Sequence, residues 1–299
     1  MPLTPLHPDG PHLSRFIAGY WRLLDWKMTP QQRLDFLKAH LALGISSCDH
    51  ADIYGDYQCE AAFGEALALE PAIRHEIQIV SKCGICLPGQ KGYDLPHYNT
   101  SVGHILTQVD TSLSHLGTDY LDLLLIHRPD PLMQADEVAE AFTQLRRAGK
   151  VRHFGVSNFT PSQFELLQSR LPFPLVTNQV EISPLQLTAL HDGTLDHLQQ
   201  HRIRPMAWSC LGGGRLFSPT DPQARSVRLE LSKVGEEVGA QGVDQVALAW
   251  LLALPCSPLP ILGSGRIERL RQAVDASRLT LTREQWFRIW RASTGHDVP

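Results

Sequence analysis

The sequence predicts an α/β fold in which eight short β-rich runs are each followed by a longer helical pattern, within one domain over residues 1–299. Three observations carry this. The alternation of strand and helix patterns extends over nearly the whole length. The chain has 299 residues, 43% hydrophobic and 19% charged, which suits one barrel of about 250 residues or more with a sizeable core. No linker, charge block, low-complexity tract or internal repeat divides it. A closed parallel barrel and a doubly wound sheet both satisfy this pattern.

The strand candidates are Phe16–Trp21, Ile45–Asp49, Ile77–Lys82, Leu121–His127, His153–Ser157, Val176–Glu181, Pro205–Trp208 and Leu259–Leu262. Between them lie helix candidates Pro30–Leu43, Glu60–Leu69, Thr100–Leu116, Asp136–Ala148, Pro161–Gln168, Leu195–His201, Ser226–Gly239 and Arg266–Ala276. Asp136 reads as a helix N-cap, and Gly149 ends that helix. Thr160 before Pro161 places a capping residue ahead of a proline at the first helical position. Additional helices are expected near the C-terminus. One is Val243–Leu254. The other is Thr282–Arg291, whose Trp286, Ile289 and Trp290 share a face that packs on the barrel exterior. The long irregular segments Gly84–Asn99 and Leu211–Arg225 follow the third and seventh strands, at the face where such loops usually serve function.

Chemistry gathers at the strand ends. Asp49 ends the second strand and Tyr54 follows it, Lys82 ends the third, and His127 ends the fourth. In a parallel barrel every strand points its C-terminal end at one mouth, so these four side chains meet. Tyrosine has a pKa near 10, too high for an efficient acid at neutral pH. A lysine beside it is expected to lower that value, with Asp49 holding the ammonium and His127 orienting a substrate oxygen. Such a set can protonate a carbonyl oxygen as hydride reaches the carbon. Taken singly, each residue has a plainer reading: a half-buried ring, a solvated lysine, a capping aspartate or a core imidazole. Their coincidence at successive strand ends argues for the site.

Other chemistries fit less well. A doubly wound nucleotide fold needs a G-x-G-x-x-G turn after an early strand. Ile17-Ala18-Gly19-Tyr20-Trp21 does not supply it, and Gly212-Gly213-Gly214 comes too late. A metallohydrolase barrel wants two histidines one residue apart at the first strand end, and none of the 14 histidines forms that pair. No resident metal is expected. Cys83-x-x-Cys86 stands without a second pair or a thioredoxin-like context and reads as two thiols in a loop. Six scattered cysteines suit a reducing compartment. A net charge of −4 gives no reason to expect nucleic acid or a membrane surface as partner. There is no 18-residue apolar run and no signal-peptide pattern after Met1, so a cytoplasmic protein is expected.

The segment Asp49-His50-Ala51-Asp52-Ile53-Tyr54-Gly55 resembles the D-x-A-x-x-Y-G signature of the aldo-keto reductases. Ser81-Lys82, the run Leu125 to Asp130 and Gly149 to Phe159 are similar to segments of the same family, as are Asn178 to Glu181 and Pro260 to Ser264. The matches run in order from about residue 15 to 277 and look most like a bacterial branch of predicted oxidoreductases. The resemblance implies a (β/α)8 TIM barrel that binds NADPH across its mouth and reduces aldehydes or ketones. It makes Tyr54 the general acid, Lys82 and Asp49 its tuning pair, and His127 the residue that orients the carbonyl. His50 and Asp52 become scaffold.

Carried over residue by residue, Ser157, Asn158 and Gln179 match positions that bond the nicotinamide carboxamide. Trp208 matches the ring that stacks on the nicotinamide. Ser209, Leu211, Gly212 and Gly214 match the stretch along the pyrophosphate. Ser264 and Arg269 match the grip on the adenosine 2′-phosphate, which favours NADP over NAD. Trp21, Gly263, Arg266 and Gln272 complete the implied cofactor set. Gly263 stands where many relatives carry a basic residue, with Arg266 as the compensating cation. Ala273 replaces a common asparagine, and Tyr20-Trp21 stands where small residues are usual. Tyr20, Trp21, Tyr54 and His127 are expected to make an aromatic pocket floor suited to planar or apolar carbonyls. The short tail from Arg291 leaves that pocket open. A monomer acting on a small carbonyl substrate is the expectation. The alternative is an NADP-binding regulatory or redox-sensing subunit with little turnover.

Overall fold

The computed structural model describes residues 3–89 and 92–299. Eight parallel strands close into a barrel: β1 (Ile17–Gly19), β2 (Ser47–Asp49), β3 (Gln78–Cys83), β4 (Leu121–Ile126), β5 (Val151–Ser157), β6 (Leu175–Glu181), β7 (Met206–Trp208) and β8 (Leu259–Leu262). Ile17 and Ala18 of β1 pair with Ile261 and Leu262 of β8, which shuts the ring. Closure leaves the barrel sheet without an edge and settles the choice between barrel and open sheet.

The outer layer comprises α1 (Pro30–Ala42), α2 (Cys59–Leu69), α3 (Val102–Leu116), α4 (Ala135–Arg147), α5 (Pro161–Gln168), α6 (Thr194–Gln200), α7 (Pro222–Val238), α8 (Val243–Leu252), α9 (Ile267–Ala276) and α10 (Arg283–Thr294). The strands are buried on both faces, as parallel strands beneath helices must be. Along β4, Leu123 and Leu125 join the barrel interior, while Leu124 and Ile126 face the helices. Leu6 and Leu13, from an antiparallel pairing of Thr4–Pro5 with His12–Leu13, pack into the same interior cluster as Ile17, Val176 and Met206. That N-terminal hairpin therefore plugs the barrel at the end from which the strands start.

Several local expectations need correction. Asp136 is not the cap of α4. Gln134 occupies that position without a side-chain cap bond, and Asp136 instead pairs with Arg170 at 3.2 Å. α7 starts at Pro222 rather than Ser226, because Asp221 caps it by accepting from the Ala224 amide at 3.0 Å. Cys83 ends β3, and Cys86 lies in a two-residue strand paired with His97–Tyr98, so the thiols are not loop residues. None of the six cysteines is in a disulfide, and all six are buried. The Gly84–Asn99 segment includes residues 90 and 91, which lie outside the described residues.

Thr160 caps α5 in a reciprocal capping box with Gln163. Trp286 of α10 stacks on Trp250 of α8, with centroids 4.7 Å apart and planes at 9°. Each indole N–H donates to the other residue's carbonyl, at 3.0 and 3.1 Å. The C-terminal helix thus packs on the helical layer rather than on the strands.

Candidate active site

The site starts where β1 to β4 end. β2 delivers Asp49, and the chain then turns through residues 50–58. Gly55 sits at φ +58°, and a Cβ there would lie 2.7 Å from Cys59 Sγ and 2.8 Å from Leu24. Glycine is needed for both reasons, and this tight turn aims Tyr54 back over the strand end. Asp52 accepts from the Ile53 amide at 2.7 Å and donates its own backbone amide to the Lys82 carbonyl at 3.0 Å, which holds the turn against β3.

Lys82 is completely buried. Its Nζ donates to Asp49 Oδ2 at 2.9 Å, the His50 carbonyl at 2.7 Å and Tyr54 Oη at 3.0 Å. An ammonium has three protons to donate, and all three are used. Burial by itself pushes the Lys82 pKa down, but Asp49 and the Tyr54 phenol reverse this and leave it raised. The lysine therefore stays a cation. Because Tyr54 Oη accepts from Lys82, the phenol's own proton is left to donate elsewhere.

The sequence expectation for Tyr54 is corrected in one respect. Burial raises its pKa more than Lys82 lowers it, so the phenol sits above its ordinary value. It is a proton holder at neutral pH. The His127 backbone amide donates to the Cys83 carbonyl at 2.9 Å, and its ring meets the Tyr54 ring edge-on with centroids 5.8 Å apart. Burial, helped by Lys82 and Arg128, holds its pKa well below the histidine range. Among the described residues its buried Nδ1 has no hydrogen-bond partner.

A second group adjoins the first. Trp208 Nε1 donates to Asn158 Oδ1 at 3.1 Å, Asn158 Nδ2 donates to Ser157 Oγ at 2.8 Å, and Ser157 Oγ donates to the Gln179 carbonyl at 2.9 Å. Gln179 Nε2 then donates to Asp49 Oδ1 at 2.8 Å. The residues expected to meet a nicotinamide are thereby joined to those expected to move the proton. Spacing along the chain carries no signal of the Gln179–Asp49 bond. The sequence motifs do not single out Arg128: its guanidinium lies 5.4 Å from the Trp208 ring, and its charge acts on both Tyr54 and His127. Its place directly after His127 was the available signal.

Beyond Trp208 the chain curls through positive φ at Ser209, Gly212, Gly213 and Gly214, with Leu211 accepting from Gly214. Gly263 and Ser264 leave the end of β8, which runs beside β1, itself paired with β2 at Asp49. Ser264 Oγ accepts from the Arg266 amide at 3.2 Å, and Arg266 precedes the first turn of α9, which holds Arg269. Among the described residues, neither arginine has an ion-pair partner. Two guanidiniums and a hydroxyl at a helix N-terminus form a donor set that fits a phosphate. Gln272 is exposed one turn further on, and its backbone carbonyl accepts from Gln245.

The pocket floor departs from expectation. Tyr20 is buried in the core, bonded to His40 Nε2 at 2.8 Å and stacked on His50 at 4.8 Å. Trp21 is 57% exposed with Arg22 over its ring. The Tyr54 and His127 rings meet edge-on, and the Arg128 charge lies 5.4 Å from the Trp208 ring and acts on both Tyr54 and His127.

A sequence profile described as "Aldo/keto reductase family" matches residues 15–293. The chain is 61% identical to "Oxidoreductase YdhF" of Escherichia coli strain K12, over 98% of this chain and 97% of that protein. It is 44% identical to the "6-dehydroglucose reductase" of Agrobacterium fabrum, over 97% of each. A crystal structure of a thermostable aldo-keto reductase in complex with the inhibitor epalrestat superposes with a TM-score of 0.80 at 26% identity, over 98% of this chain and all of that one.

Proposed function

Because the chain belongs to the aldo/keto reductase family, we propose that it reduces an aldehyde or ketone to the alcohol with NADPH as hydride donor and Tyr54 as proton donor. One observation carries this reading: Lys82 spends all three protons on Asp49, His50 and Tyr54, so the phenol is anchored as an acceptor and its own proton points away from the lysine. The neutral His127 ring edges the same space and can bond the carbonyl oxygen, placing it against Tyr54. As the carbonyl carbon is reduced, negative charge develops on that oxygen. The Lys82 cation stabilises the phenolate left when Tyr54 hands over its proton.

NADPH supplies the hydride when bound. Ser157, Asn158 and Gln179 would hold its carboxamide, and Trp208 would offer a flat face to the nicotinamide. Ser264, Arg266 and Arg269 would take the 2′-phosphate, in keeping with their free donors. The Arg128 charge at the mouth favours polar carbonyl substrates over the planar apolar ones that an aromatic floor suggested. The name of the Agrobacterium relative makes 6-dehydroglucose a substrate to try first.

The test is NADPH oxidation with a panel of carbonyls that includes 6-dehydroglucose, reactive dicarbonyls and aromatic aldehydes. Turnover is expected with NADPH in preference to NADH. Tyr54→Phe and Lys82→Met are each expected to lower kcat by roughly 10²–10⁴-fold, with NADPH binding retained by fluorescence quenching. Near-full reduction by Tyr54→Phe would overturn the proton-donor role. Cofactor binding with no carbonyl reduced above background would favour a regulatory subunit instead.

A further inference from the structure

On the outer layer, α5 and α6 carry a side-chain cluster that the carbonyl chemistry does not use. His197 and His201 stand four residues apart, at α6 and its C-terminal cap, so their imidazoles share one helix face. Glu165 of α5 reaches between them. Its Oε1 lies 2.6 Å from His197 Nε2 and 2.9 Å from His201 Nε2. Two imidazole nitrogens and a carboxylate oxygen thus converge within 4.8 Å of one another. The rings are braced as well as paired. His197 packs edge-on to Phe164 at 5.1 Å and against His201 at 4.7 Å between centroids.

We propose that Glu165, His197 and His201 form a binding site for a divalent transition-metal ion, with Zn²⁺ and Ni²⁺ as the fitting class, tying α5 to α6. The donor set decides the class. Two imidazoles and one carboxylate suit borderline cations, whereas Ca²⁺ and Mg²⁺ take sets made of oxygens. Zinc with three protein ligands keeps a fourth position for water. Tetrahedral bonds of about 2.1 Å put donor atoms roughly 3.4 Å apart, so the Glu165 oxygen, now 2.6 and 2.9 Å from the two imidazole nitrogens, need move out by only several tenths of an ångström. The side chain of Glu165 is 48% exposed and can make that adjustment, while His197, at 11%, anchors the site in the wall.

Solvent has access. His201 is 40% exposed on its side chain and borders, with His7 and Phe164, a cavity of about 430 Å³. In the metal-free protein His197 Nε2–H donates to the carboxylate, and His201 Nε2 lies 2.9 Å from the same oxygen. On binding, each Nε2 gives its lone pair to the ion. The ring proton resides on Nδ1 in a neutral imidazole, and the second proton of an imidazolium passes to solvent.

The experiment uses the untagged full-length protein, stripped with EDTA and freed of chelator. Calorimetric titration with ZnCl2 and with NiCl2 is expected to show saturable uptake of one equivalent at micromolar concentrations, with no uptake of CaCl2. His197→Ala and Glu165→Gln are expected to weaken that uptake by roughly tenfold or more, since even residues that only orient a ligand account for 10–100-fold. His201→Gln, at the exposed helix end, serves as the readout if His197→Ala does not fold. ZnCl2 is also expected to raise the Tm of the parent protein and leave that of the variants unmoved. Absence of saturable uptake would overturn the proposal and leave a hydrogen-bonded ion pair. So would uptake unchanged in the variants, which would assign the metal to the cysteines or other histidines.

Discussion

Tyr54 and His127 are governed by opposite outcomes of the same burial. Burial and the neighbouring cations keep His127 neutral, while burial keeps the Tyr54 phenol protonated despite Lys82. The pH profile of carbonyl reduction is therefore expected to be flat through the ordinary histidine range near 6.5, falling only as pH rises past the tyrosine's raised value above about 10. A titration of tyrosinate absorbance, taken as the difference between the parent protein and Tyr54→Phe, checks this directly. An inflection near neutrality would contradict it. His50 poses a separate question of stability. It is fully buried against Tyr20 and Phe63, both ring nitrogens are without a hydrogen-bond partner among the described residues, and burial pushes its pKa down to about 3. Below pH 6.5 the unfolded chain binds a proton that the folded state refuses, so the stabilising effect present above 6.5 is lost as pH falls toward 3. The slope contributed is up to roughly 1.4 kcal/mol per pH unit. His40, held at about 4, adds its own share. His50→Leu is expected to flatten the fall in urea midpoint between pH 6.5 and 4, and an unchanged slope would exclude His50 as a cause.

Between elements, α2 and α3 cross closely at Gly64. A Cβ added at Gly64 would lie 2.0 Å from the His115 carbonyl oxygen, a backbone atom that cannot swing aside. The two helices approach this closely because Gly64 has no side chain, and their packing positions the turn that leads into α2 from Tyr54. Gly64→Ala is expected to cost about 1–3 kcal/mol by overpacking, despite alanine's better helix propensity. Its measure is the urea midpoint with the slope held constant. A neutral or stabilising result would mean that α2 slides along α3 at little cost.

At the scale of the molecule, barrel closure ties the two ends of the chain together. β1 pairs with β8, the N-terminal hairpin fills the bottom of the barrel, and α10 is fastened to α8 through the Trp250–Trp286 stack. No half of the chain has a complete core without the other. Residues 1–299 are accordingly expected to unfold as one domain, with far-UV ellipticity and tryptophan fluorescence following the same urea transition. Two separated transitions would show that part of the barrel folds on its own.

Local chemistry made much of this readable before any folding was considered. Strand and helix periodicity depend on neighbours within a few residues, so the eight alternations, the Thr160-Pro161 start and the C-terminal tryptophan face could be read directly. The Asp49–Tyr54 segment with its glycine was equally plain, because a tight turn and the residue types it presents are short-range properties. Other features had no local signal. Tyr20 looked like pocket lining until His40 and His50 enclosed it. Asp136 looked like a cap until Arg170 drew it away. The bond from Gln179 to Asp49 spans 130 residues, and the raised pKa of Tyr54 reflects everything packed around it. Burial and long-range charge are sums over atoms distant in the chain, which is why the order of residues named the reactive groups and only the closed barrel decided how strongly each holds its proton.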